Sequence, residues 1–197
     1  MKNKKYIKTL YHNKWLSLKS ISCKEFGDQE YVFSHETRCN GKILSILPFR
    51  RNNEGIVSEF LIRKEVTPCW GTKQFMSSIT GGIEGEDHFE HALIELNEEA
   101  GYVVKKEDLY FIGNCFGSKS CDTIYSLFSV DLTEKTKTAK ASGDGSFMET
   151  LAHCEWVNED ELEKAVDPLI FANWFKLIGY LTKNKLFIKK RNEVGIK

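Results

Sequence analysis

Short apolar-rich runs, cut by polar or glycine-bearing turns, make up most of this chain. That is the pattern of strands with one buried face. Three such runs open the sequence at 6–11, 15–23 and 31–35, separated by His12-Asn13 and Gly27-Asp28. From Gly41 the pattern sharpens. Residues 42–49 and 57–63 read as a hairpin around the polar turn Arg51-Asn52-Asn53-Glu54-Gly55. Residues 65–80, with Pro68, Trp70 and Gly71, read as an irregular approach to a glycine pair. Further strands fall at 109–116 and 123–131, rich in β-branched and aromatic residues. Glu155-Trp156-Val157 is a last, short one. The polar stretch 133–147 holds Gly143-Asp144-Gly145-Ser146 and reads as a mobile loop.

The period changes to that of a helix at 88–100. Phe89, Ala92, Leu93, Leu96 and Ala100 form a stripe that packs on a core. Asp87 is placed to cap the N-terminus, with Glu90 three residues on, and Gly101 suits the left-handed position that ends a helix. A short helix capped by Asn158 runs to Ala165, and 168–182 is a second amphipathic helix.

The polar face of the 88–100 helix carries the candidate chemistry. Glu95 and Glu98 are three apart, Glu95 and Glu99 four apart, so the three carboxylates share a face. Like charges so placed destabilise a helix unless a cation neutralises them. A cluster of hard oxygen donors suits Mg²⁺ or Mn²⁺. His88 and His91, one turn apart, read as solvated or as supporting groups, because such sites favour oxygen.

Composition narrows the classes. A chain of 197 residues suits one domain with additions, and 41% hydrophobic with 28% charged residues is ordinary for a globular protein. Lys+Arg and Asp+Glu are both 28, which argues against a nucleic-acid-binding footprint. The locally basic ends, Lys2 to Lys8 and Lys183 to Arg191, read as solvated tails. No apolar run reaches membrane-spanning length and no signal-peptide core is evident. The six cysteines form no CxxC pair and read as reduced thiols. A cytoplasmic location, with no membrane or nucleic-acid partner, is the expectation.

Residues 81–102, GGIEGEDHFEHALIELNEEAGY, resemble the signature of the Nudix hydrolases. Glu86, Glu95, Leu96, Glu98, Glu99 and Gly101 match it residue for residue, and Tyr102 fills its final apolar slot. Two features depart from it. Only Ile83, Glu84 and Gly85 separate Gly82 from Glu86, and the signature arginine is Ile94 here. In the family that arginine helps hold a neighbouring carboxylate. The resemblance implies an α+β fold, an α/β/α sandwich with a mixed sheet. It would comprise a strand-rich extension (1–40), a hydrolase domain (41–165), and a C-terminal helix with a basic tail (166–197).

The resemblance also implies a reaction: metal-dependent hydrolysis of a pyrophosphate bond in a nucleoside diphosphate derivative. The layout is similar to the ADP-ribose pyrophosphatase branch, so ADP-ribose, cleaved to AMP and ribose 5-phosphate, is the best single candidate. Glu95, Glu98 and Glu99, with the carbonyl of Gly82 or Gly81, would hold Mg²⁺ (or Mn²⁺). Glu149 is the candidate general base, with Asp144 second and Glu98 the alternative. Arg63, Arg50 and Lys119 are candidate phosphate ligands, and Trp15 or Tyr31 a platform for a base. The extension would support a homodimer. A Nudix-fold nucleotide-binding or regulatory module with weak or no hydrolysis is the alternative, motivated by Ile94 and the short loop.

Overall fold

The computed structural model describes residues 6–138, 141 and 147–186. Asp144 and most of the two basic ends lie outside them. Strands β1 (Tyr6–His12), β2 (Leu16–Ser22) and β3 (Tyr31–Glu36) form a separate antiparallel sheet. Asn13 makes its first turn, accepting from the backbone N–H groups of Trp15 and Leu16. Strands β4 (Lys42–Ile46), β5 (Phe49–Arg51), β6 (Val57–Val66), β7 (Gln74–Ser77) and β8 (Ile79–Gly82) follow. Helix α1 (His88–Ala100) and strands β9 (Leu109–Phe116) and β10 (Ile124–Val130) come next. The described chain ends with α2 (Phe147–Thr150), β11 (His153–Asn158), α3 (Glu159–Leu162) and α4 (Pro168–Lys183).

Two four-stranded sheets make the body. One runs β8-β4-β10-β9, with β4 and β10 parallel and the other pairs antiparallel; the other runs β11-β6-β5, with β7 also on β6. Successive side chains of a strand point to opposite faces, and β4 shows the result. Leu44 and Ile46 join the core under α1, with Ala92, Leu96 and Phe128. Ser45 and Leu47 face the other way. Leu47 packs in the core under α4 with Ile62, Ile170 and Leu177, and Ser45 accepts a hydrogen bond from Asn173 of α4. Helices therefore cover both faces, the mixed α+β sandwich expected. Among the described residues no helix is long and apolar enough to cross a membrane.

The expected strand over 42–49 is broken. β4 ends at Ile46, and β5 starts at Phe49 in the other sheet. Pro48 has no N–H to give a ladder; its carbonyl instead accepts from Leu61 N–H, and Leu47 N–H bonds Phe128. The stretch 65–80, expected to be irregular, contains β7 and the start of β8. Pairing across to β6 and β4 supplies the order that their mixed local pattern does not announce.

Helix α1 matches expectation at both ends. Asp87 accepts from Phe89 and Glu90 N–H, and Gly101, at φ 75°, bonds back to Asn97 and Leu96. Ala92, Leu96 and Ala100 are buried, leaving the opposite face to its carboxylates.

Candidate functional site

The carboxylate face of α1 looks onto β8. Between them lies a cavity of about 240 Å³ lined by Arg38, Ile43, Thr80, Gly81, Gly82, Glu95, Glu98, Glu99 and Glu149. Three elements deliver the acids and glycines, β8 and α1 consecutive in the chain and α2 distant. Helix α1 brings three glutamates at helical spacing, β8 brings the glycine pair, and α2 brings Glu149. The glycines are needed for the approach: a Cβ on Gly81 would stand 2.0 Å from Glu95 Cδ, and one on Gly82 would stand 2.1 Å from Cys39 Sγ.

Burial sets the electrostatics. It pushes the Glu95 carboxyl up to about 7, with Glu98 and Glu149 adding to the rise and Arg63 opposing it. Burial likewise pushes Glu99 up to about 8 against the pull of Arg63, while Arg63 itself stays charged. Burial, with the Glu99 charge adding to it, takes the Cys154 thiol up to about 12. Glu99 Oε1 accepts from Arg63 Nη1, and Glu99 Oε2 is buried with no hydrogen-bond partner among the described residues.

This donor set fits a hard divalent cation: adjacent carboxylates, an unmatched buried oxygen, and desolvation that penalises negative charge. The fit is one of donor chemistry. Among the described residues no three acidic, histidine or cysteine side chains converge into a finished coordination shell. Glu99 is turned onto Arg63 and Glu95 lies against Gly81.

Of the other expected site residues, Trp15 and Arg63 each touch a lining residue without lining the cavity, and the rest stand apart. Trp15 is half exposed on the β1–β2 turn, with the Arg38 guanidinium 5.1 Å and Lys14 Nζ 4.6 Å from its ring. Arg63, expected at a substrate phosphate, is buried and bound to Glu99. Arg50 pairs with Glu59 at 2.5 Å and lies over the Trp156 ring, so it does not line the cavity. Lys119 is not among the lining residues either; its carbonyl accepts from Tyr31 Oη at 2.5 Å. Glu86 is exposed beside a shallow hollow lined by Phe89, Phe111 and Lys106, outside the carboxylate cavity. His88 bonds Ser126 and His91 bonds the Glu84 carbonyl, so both brace α1.

Arg38 was not anticipated. Among the described lining residues it is the cation. Glu36 places it: its carboxylate takes Arg38 Nε and backbone N–H at 3.0 Å each, and Cys39 N–H at 2.8 Å. Partial burial pushes Glu36 up, but these bonds outweigh it and hold the carboxyl below its ordinary range. A signal was present in Thr37-Arg38-Cys39-Asn40-Gly41. The Asn40-Gly41 pair, both at positive φ, marks a tight turn into β4 that carries Arg38 towards the glycine strand.

No family model and no curated protein matches this chain at a significant level. A solved structure described as "Crystal structure of ADP compounds hydrolase" does. It superposes with a TM-score of 0.65 at 12% identity, covering 93% of this chain and 96% of that one. The two chains share a fold. At that identity the likeness carries no residue-level assignment, so the site rests on its own geometry.

Proposed function

We propose that this chain is a metal-dependent pyrophosphohydrolase acting on nucleoside diphosphate derivatives, with ADP-ribose as the first substrate to test. The observation that carries the reading is the cavity that Glu95, Glu98, Glu99 and Glu149 line beside Gly81 and Gly82. The signature resemblance of 81–102 and the fold shared with an ADP compounds hydrolase support it.

In this reading Glu95, Glu98 and Glu99 hold Mg²⁺ or Mn²⁺, with a glycine carbonyl of β8 beside them. The ion, when bound, supplies charge neutralisation at the phosphates and acidifies water. Arg38 binds the diphosphate from the turn beside the glycine strand, and Trp15 offers an aromatic face next to it. Glu149 accepts the proton of the attacking water as its oxygen bonds to one phosphorus. The bridging P–O bond breaks and its electron pair leaves with the other phosphate. ADP-ribose would yield AMP and ribose 5-phosphate.

A product screen over ADP-ribose, other nucleoside diphosphate sugars, dinucleotides and nucleoside triphosphates, with Mg²⁺ and with Mn²⁺, tests this. The expected result is metal-dependent release of a nucleoside monophosphate, abolished by chelator. Nucleotide binding by calorimetry with no turnover of any compound would favour the binding-module alternative instead.

The N-terminal sheet is proposed to pair with a second copy of the chain. Every residue of its edge strand β1 is exposed, including Tyr6, Ile7, Leu10 and Tyr11. Unpaired strand edges and contiguous apolar surface both favour association. Light scattering after gel filtration should give twice the 22.7 kDa chain mass, and Ile7→Lys should shift it to the single mass. A wild-type mass of one chain would dispose of the pairing.

A further inference from the structure

We infer that Arg63 is a positioning residue for Glu99, doing from the sheet what no arginine of α1 does, and that it is not a substrate ligand. This rests on reading the cavity as a metal-dependent hydrolytic site.

Position 94, next to Glu95 on the helix, is Ile and is 43% exposed, so α1 carries no cation of its own at this point. The cation comes from β6. Arg63 lies opposite Cys154 of β11 on one side and Ser77 of β7 on the other, so its backbone is held by neighbouring strands on both edges. Its side chain is 8% exposed. Nη1 donates to Glu99 Oε1, and Nε stands 3.2 Å from Glu65 Oε2. The contacts run from Glu65 to Arg63 to Glu99, and Glu99 alone of the three reaches the cavity.

That chain of contacts decides the role. A guanidinium clamped between two carboxylates must break a buried ion pair to reach a phosphate, which is costly because it strands the partner charge. Staying in place, it fixes one oxygen of Glu99, while the other, Oε2, is buried without a partner among the described residues on a side chain that lines the cavity. The planar fork of arginine sets direction as well as charge, which an ammonium does not.

The test is Mn²⁺ affinity of the full chain, measured by electron paramagnetic resonance of free Mn²⁺, together with ADP-ribose kinetics. Arg63→Met should weaken Mn²⁺ binding and lower kcat by about ten- to a hundredfold, the usual cost of losing a partner behind a metal ligand. KM should stay within about twofold. Arg63→Lys should fall between Met and wild type in Mn²⁺ affinity; it decides the matter alone if the Met variant does not fold. Unchanged Mn²⁺ affinity in the folded variant, with or without a raised KM, overturns the inference while leaving the proposed reaction standing. A wild-type chain that neither binds Mn²⁺ nor hydrolyses a nucleotide overturns the proposed reaction and the inference together.

Discussion

Glu98→Gln is expected to lower turnover at least about a hundredfold while leaving the melting temperature nearly unchanged. Removing one electrostatic stabiliser of a transition state typically costs a factor of that order. Glu98 is half-buried on the polar face of α1, and the isosteric amide keeps its packing. Glu99→Gln should reduce turnover as much but also weaken the fold. It removes the carboxylate that Arg63 is bound to, leaving a buried guanidinium with Glu65 as its remaining acidic neighbour. A hydrogen bond to a charged group contributes about 1.5–3 kcal/mol. In a chain of this size that is a fall of roughly 3–12 °C. Thermal melts beside steady-state rates separate the two. Near-wild-type turnover in both variants would remove the carboxylate cavity as the reaction centre.

The contrast between these neighbours shows what a sequence can convey. The helix, its caps and the shared face of its carboxylates are local facts, set by spacing within fifteen residues, and the structure repeats them at Asp87, Glu95, Glu98, Glu99 and Gly101. What faces those carboxylates depends on pairing over long distances. Arg63 meets Glu99 because β6 is sandwiched between β7 and β11, and neither a strand over 74–77 nor one over 79–82 was legible in a stretch broken by Pro68 and Gly71. Arg38 was hidden for a related reason. Its importance depends on a turn folding back beside Gly82, where Cys39 Sγ fills the space a side chain at 82 would need. Arg50, by contrast, looked equally basic in the sequence. The hairpin register places it across from Glu59, on the wrong sheet for the cavity.

Gly81→Ala should also cost about a hundredfold in turnover, though it removes no chemical group from the site. The backbone of Gly81 lies outside the positive-φ region, so alanine adds no dihedral strain there. The new methyl would instead lie 2.0 Å from both Cδ and Oε1 of Glu95, the far end of a flexible side chain. The carboxylate must swing aside, and the rest of the protein need not. Stability should therefore change by no more than about 1 kcal/mol, or some 2–4 °C. A displacement near 1 Å at a reacting centre is enough for a loss of that size. Mn²⁺ affinity should fall with turnover if Glu95 is a ligand. The decisive comparison is the double variant. With Glu95 already displaced, adding Glu95→Gln to Gly81→Ala should lower turnover little further, whereas independent effects would multiply. Full multiplication would mean that Gly81 acts through something other than Glu95.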